Sequence, residues 1–203
     1  ATLPPADLDG EDVLPPPKST RQKPRKNQVH FDLATQLYRT VGVDLTAIDG
    51  VDALTAQKVI AEIGLDMSRW PTAKHFASWL GLAPHHKKTG GKVKSSRTKK
   101  TQNRANTALR VAAQSLSRSQ SALGAFYRRI KARHGAAKAN VATAHKLARI
   151  IYHMLKYRQA YRDPGASYYE QRYRERAIRN LKRKAVSFGF ELVPATPIPV
   201  DVS

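Results

Sequence analysis

The sequence predicts an all-α protein: a compact multi-helix domain over residues 31–190, preceded by a disordered linker. Three observations carry this. Apolar residues recur at helical spacing in successive segments from Phe31 onward. Breakers stand between those segments at Gly42, Pro84, Gly135 and Pro164-Gly165. Hydrophobic residues make up 41% of the 203, enough to bury a core.

Residues 1–30 are rich in Pro, Asp and Lys, with Pro15-Pro16-Pro17 and a basic run from Arg21 to Lys26. They have no periodicity and little to bury, which predicts a disordered linker. Residues 31–43 carry a first helix, with Phe31, Leu33, Ala34, Leu37, Tyr38 and Val41 near helical spacing. Gly42 ends it. Residues 44–81 open with Asp44–Gly64, which resembles the helix-hairpin-helix DNA-binding motif. A short helix ends at Ile48, Gly50-Val51 make the hairpin, and Leu54–Ile63 form the second helix. In that motif backbone N–H groups meet a DNA phosphate at the second helix's start. Asp52 stands where the motif has a second glycine, and an acid there repels phosphate. A plain packing hairpin is the alternative. A further helix over 72–81 follows, with Thr72 as N-cap after Pro71. Phe76, Ala77, Trp79 and Leu80 form its apolar side, and Trp79 is expected in the core.

Residues 82–101 form a basic loop around Gly90-Gly91. The helical core over 102–161 then has three helices. Gln102–Ser121 buries Ala105, Ala108, Leu109, Ala112 and Leu116, whose alanines allow close packing. Ala122–Arg133 turns Leu123, Phe126, Tyr127 and Ile130 inward, and Arg128, Arg129, Lys131 and Arg133 outward. Lys138–Tyr161 is the longest. Residues 167–188 form a last basic helix with Ser167 as a candidate N-cap. Its stripe of Tyr169, Tyr173, Ala177 and Leu181 is thin, so it is expected to pack on a partner. Residues 191–203 read as a loose tail.

The formal charge is +21, which points to a polyanionic partner. Its distribution is more telling. No acid lies between Asp66 and Asp163, a span carrying 22 Lys or Arg. Such a footprint is expected of a nucleic-acid surface. A membrane-surface helix would need exposed Trp, Phe or Leu, and the apolar residues here suffice only for a core. An acidic protein partner is the other alternative. With no cysteine, disulfides and thiolate metal sites are excluded. No apolar run approaches the ~20 residues needed to span a bilayer. No signal peptide is visible, so a cytoplasmic, nucleoid-associated protein is expected. The start at Ala1-Thr2-Leu3-Pro4-Pro5 reads as the middle of a longer chain.

The densest charge lies from Lys87 to Arg104, with eight Lys or Arg: Lys87, Lys88, Lys92, Lys94, Arg97, Lys99, Lys100 and Arg104. Gly90 and Gly91 free the backbone for positive φ and close approach. A hydroxyl at Thr89, a bare backbone and a cationic rim suit a phosphate group. A solvated rim is the alternative. Thr89, Ser95 and Ser96 are the hydroxyls able to attack a phosphodiester, given activation by a base or by positive charge. The lysines could stabilise charge building on the phosphate oxygens. The basic half has no carboxylate to hold Mg²⁺ in the usual way. His85-His86 lack a third ligand. His145, Arg149 and Tyr152 do not match the spacing of a tyrosine recombinase. His145 and His153 suit packing or phosphate donation better than metal binding. No metal site is expected in this chain.

Residues of about 45–160 resemble the C-terminal domain of the "one-ten" family of bacterial insertion-sequence transposases. The resemblance rests on Ile48-Asp49-Gly50-Val51, Phe76–Pro84, Gly90-Gly91-Lys92 and Asn103-Arg104-Ala105-Asn106. It runs on through Ala112–Leu116, Ser121–Phe126 and Thr143–Arg149, and past 160 into Tyr168-Tyr169-Glu170 and Arg179–Lys182. It implies a transposase that cuts and rejoins DNA strands, guided by a structured RNA and acting as a homo-oligomer. Four acids of an N-terminal DEDD nuclease-like domain, outside this chain, are implied to hold Mg²⁺. A serine before the Gly-Gly pair is implied to link covalently to DNA. Here that position is Thr89, whose β-branched hydroxyl is more crowded and stiffer at χ1. Slow reaction at Thr89, an inactive copy, or takeover by Ser95 or Ser96 follow as alternatives. The chain alone is expected to bind nucleic acid without cutting it. The competing reading is a non-catalytic helix-hairpin-helix nucleic-acid-binding module.

Overall fold

The computed structural model describes residues 31–193, so the linker expected over 1–30 and the tail from Pro194 lie outside the described residues. Within them the order is α1 (Leu33–Val41), α2 (Ala53–Ile63), α3 (Ala73–Trp79), β1 (Lys87–Thr89), β2 (Lys92–Ser95), α4 (Arg104–Ser115), α5 (Ala122–His134), α6 (Ala136–Tyr157) and α7 (Gly165–Ser187). The fold is mostly helical, with one small two-stranded sheet. No helix among the described residues is long and apolar enough to cross a membrane.

Local chemistry sets the helix starts. Asp32, Asp52, Thr72, Asn103 and Ser121 each accept a backbone N–H from the first turn of α1, α2, α3, α4 and α5. Each such cap satisfies a donor that the helix itself leaves open, and is worth about 1 kcal/mol. Gly42, at φ +69°, ends α1 in the left-handed region and returns its N–H to Tyr38 O at 2.7 Å.

The core lies between α2, α3, α4 and α6, with α5 against the other side of α6. Alanines make this close packing feasible. Ala105, Ala108, Ala112 and Ala113 of α4 are buried, as are Ala144 and Ala148 of α6. Larger side chains fill the remaining space. Phe76 and Tyr152 are almost fully buried, and the Trp70 ring meets Phe76 edge-on at 5.0 Å. Tyr152 donates its hydroxyl proton to Trp70 O at 2.9 Å, and Lys156 Nζ donates to the Tyr152 hydroxyl oxygen at 2.7 Å. This ties the end of α6 to the turn before α3. Trp79 packs on Trp70 and Phe76 but stays 38% exposed, so only part of it joins the core.

Several element ends differ from the sequence expectation. The short helix ending at Ile48 is a single 3₁₀ turn over Leu45–Ala47, capped by Asp44. The helix expected over 102–121 stops at Ser115, and a 3₁₀ turn over Leu116–Arg118 leads to Ser121, the cap of α5. Arg158 adopts φ +54° and ends α6 at Tyr157, four residues before the expected Tyr161. Ser167 is not a cap, because α7 already begins at Gly165. Residues 82–101 are not a plain loop, since they contain β1 and β2.

The last helix also corrects one side chain. Arg129 was expected outward, yet its Nη1 is buried, because α7 folds back along α5 and covers it with Tyr169 and Tyr173. Beyond Tyr173 no residue of the helix is buried, and Ile178, Leu181 and Val186 lie at the surface.

Candidate nucleic-acid interface

The basic segment folds into an antiparallel ribbon that stands off the helical body. Its tip is the two-residue turn Gly90-Gly91, at φ +57° and +73°. A two-residue hairpin turn with both central φ values positive follows the natural strand twist, and glycine meets that need without strain. The register pairs Thr89 with Lys92, Lys88 with Val93 and Lys87 with Ser95. Lys94 is the extra residue of a bulge between the last two pairs. Each paired lysine thus faces an uncharged partner, which avoids direct like-charge pairs. The ribbon continues to a bridge between Pro84 and Thr98, and the His85 N–H donates to Arg97 O at 3.0 Å.

The base of the ribbon is fixed by Gly81, Asn103 and Asn106, which lie in the motifs that carry the family resemblance but receive no role from them. Asn106, buried at the start of α4, donates from its amide to Leu80 O at 2.6 Å. Asn103 caps the same helix. Gly81, at φ +69°, sits so close to Thr101 and Lys99 O that a Cβ there would clash with the Thr101 methyl at 2.7 Å. The two feet of the ribbon therefore meet over the α3–α4 junction. Above them no residue from Pro84 to Lys94 is buried. A lone two-stranded ribbon is marginal in water, so its lysines and Gly-Gly tip stand open to a partner.

Thr89 lies at the last position of β1, directly before the turn, and is exposed. As cross-strand partners, Thr89 and Lys92 share one face, with Cβ atoms roughly 5 Å apart. Ser95 is half-buried and its oxygen accepts the Arg97 N–H at 3.3 Å, so it is partly engaged. Ser96 is exposed on the returning strand. Lys99 and Lys100 lie near the feet, and Arg104 opens α4, all exposed. The structure thus gathers Lys87, Lys88, Thr89, Gly90, Gly91, Lys92, Lys94 and Arg97 on one projection.

Gly50 and Val51 are elsewhere, on the turn before α2. Val51 is buried and its N–H donates to Ile48 O at 3.0 Å. Neither its side chain nor its N–H is open to a phosphate. A Cβ at Gly50 would come within 3.0 Å of Ala112 O, the Leu116 side chain and Ser115 Oγ, so this turn packs closely on α4. Ser119 Oγ donates to Asp49 at 2.7 Å, tying the turn to the segment before α5. Asp52 occupies the start of α2 with its own carboxylate, accepting the Thr55 N–H at 2.8 Å. The geometry is that of a packing turn. Asp52→Asn keeps a competent cap and removes the charge. Nucleic-acid affinity and urea midpoint are both expected to stay near wild type. A several-fold rise in affinity would instead put a phosphate at this helix start.

Among the described residues no three or more His, Cys, Asp or Glu come together as a metal site. His145 is half-buried, and burial first, then Arg149, pushes its imidazole below the ordinary histidine value. His153 is exposed and stacks on Tyr157 at 5.6 Å.

Residues 44–128 match the family model described as the Transposase IS116/IS110/IS902 family. The match begins at Asp44, takes in the whole ribbon, and ends within α5. The match covers 85 of the 203 residues, and over those residues the chain is similar to a transposase domain of this family. No curated protein and no solved structure matches the chain.

Proposed function

With a transposase-family domain over residues 44–128 as premise, we propose that this chain is the DNA-binding, nucleophile-bearing half of an insertion-sequence transposase. The observation that carries this is the exposed lysine ribbon with Thr89 directly before its Gly-Gly tip. DNA is the polyanion that the ribbon meets. Phosphates fall along both strands of its edge, and the glycines let the backbone approach without side chains in the way. Lys92 on the Thr89 face, with Lys87, Lys88 and Lys94 beside it, would stabilise charge on the phosphate oxygens as the Thr89 oxygen attacks.

The chemistry is transesterification. The Thr89 oxygen bonds to phosphorus, the bond to one strand oxygen breaks, and that oxygen leaves with a proton. The Thr89 proton passes to a base. The resulting threonyl phosphodiester keeps the energy of the broken bond, so rejoining needs no nucleotide cofactor. No carboxylate lies between Asp66 and Asp163 in the sequence to act as that base, so the proton passes to water, to His85 or His86 at the start of the ribbon, or to a group of the implied DEDD domain. Mg²⁺ held by the acids of that domain would supply charge stabilisation on the phosphate. A structured guide RNA, a homo-oligomer and work at the nucleoid complete the reading.

Covalent trapping tests it. Full-length transposase is reacted with labelled insertion-sequence end DNA and digested, and the adduct is located by mass spectrometry. The adduct is expected on the peptide containing Thr89. An adduct on Ser95 or Ser96, or none while strand transfer proceeds, would remove Thr89 from the role.

A further inference from the structure

A second basic site lies beyond the ribbon, where α7 crosses α5 and α6. A cleft of about 330 Å³ opens there, lined among others by Arg129, Lys146, Arg172, Arg176, Tyr169 and Tyr173. The Arg129 guanidinium carbon sits 3.8 Å from the Tyr173 ring centre and 4.6 Å from that of Tyr169. Lys146 Nζ sits 4.5 Å from the Phe126 ring centre. Aromatic faces attract these cations, and this explains how α7 docks. It does not explain the charge balance. Rings carry no net charge, and no carboxylate lines the cleft.

Two neighbouring acids, Asp163 and Glu175, are otherwise engaged. Asp163 accepts the Ala122 N–H at 3.1 and 3.3 Å and the Tyr161 hydroxyl at 3.2 Å. Glu175 pairs with Arg172 at 3.5 Å in an exposed contact. Arg129, Lys146 and Arg176 are left facing one another. Burial first, then Arg129, Arg149 and Arg176, pushes the Lys146 ammonium below the ordinary lysine range. Burial also lowers Arg129. In addition, Arg129 Nη1 and Tyr169 Oη are buried with no hydrogen-bond partner. A buried donor left open costs free energy comparable to a lost hydrogen bond. The complement of several converging cations and open hydrogen-bonding groups is a compact oxyanion with several oxygens. A phosphate suits it, and the arginine fork suits phosphate oxygens in particular.

We propose that the α5–α6–α7 cleft is a phosphate-binding site, separate from the ribbon, and that a phosphate seated in it clamps α7 onto the body. The phosphate comes either from a nucleic-acid backbone or from a free phosphate compound. The family match ends at residue 128, one residue before Arg129, so the site goes beyond the ribbon reading and does not rest on it.

The test is calorimetric titration of the full chain with inorganic pyrophosphate at fixed ionic strength, with hydrogen exchange of α7 measured alongside. Wild type is expected to show one saturable site, and exchange over residues 165–187 should slow on binding. Lys146→Gln/Arg176→Gln should weaken binding at least tenfold and leave α7 exchange unchanged by pyrophosphate. Arg176 is exposed, so the single Arg176→Gln gives the same direction without risk to folding. The charge-matched control Lys131→Gln/Arg133→Gln, on the exposed face of α5, should bind within twofold of wild type. A short single-stranded oligonucleotide that competes with pyrophosphate assigns the site to a nucleic-acid backbone. Pyrophosphate binding without such competition assigns it to a free phosphate compound. Absence of a saturable site, or equal weakening by the cleft and control variants, would overturn the proposal. The readout uses no strand transfer, so it fails or stands apart from the ribbon reading.

Discussion

If the proposed function holds, Thr89→Ala in the full-length protein lowers strand transfer on the order of 10⁴-fold or more, the scale seen when a covalent nucleophile is removed. Thr89→Ser is expected to keep or raise the rate. The serine oxygen is equally nucleophilic, less crowded and freer at χ1. Both variants should bind DNA as wild type does, because the lysines of the ribbon are untouched. Single-turnover strand transfer and equilibrium binding, measured on the same preparations, separate the two effects. If Thr89→Ala retains wild-type strand transfer, Thr89 is not the nucleophile, whatever the ribbon binds.

Phe76→Ala is expected to cost about 3–5 kcal/mol of stability, the range for deleting a large buried aromatic. Phe76 is fully buried and its ring neighbours Trp70, Trp79 and Tyr152. Removing it leaves a cavity between α3 and α6 that rigid rings on both sides cannot collapse to fill. The effect reaches the ribbon. Leu80 follows in the same helix end, and its carbonyl is what Asn106 holds. Phe76→Leu keeps most of the volume and should cost about 1.5 kcal/mol or less. Urea unfolding of both variants checks this. A loss under 1 kcal/mol for Phe76→Ala would mean that this aromatic cluster does not hold the core together.

The helices were legible because their signals are local. Apolar spacing marks α1 to α6, and Thr72 after Pro71 marks the cap of α3. The ends were harder. Arg158 stops α6 in a left-handed conformation that sequence favours only for glycine and asparagine. The ribbon hid for a different reason. Its strands are three and four residues long, mostly lysine, and lack the alternation that marks a half-buried strand. Gly90-Gly91 was the available hairpin signal, and lysines on both sides made it read as a loop. The charge pattern still marks the segment that folds as the ribbon, because eight cations without an acid need no fold to be noticed. Asn106 and Gly81 were invisible as a site, since their role depends on α3 and α4 meeting. The cleft under α7 was equally hidden. Arg129 looks outward on α5 alone, and only the return of α7 buries its Nη1.

The most direct measurement is the affinity of this chain for labelled duplex DNA across a salt series. It is repeated with Lys92, Lys94, Lys99 and Lys100 reversed to Glu, and with Lys131, Arg133, Lys138 and Arg174 reversed as a charge-matched control. Each phosphate contact contributes about −0.9 to the slope of log affinity on log salt. The account predicts a steep wild-type slope, flattened by the ribbon reversal and much less by the control. A slope that ignores the ribbon reversal, or that both reversals flatten equally, would contradict the claim that the ribbon is where this protein meets nucleic acid.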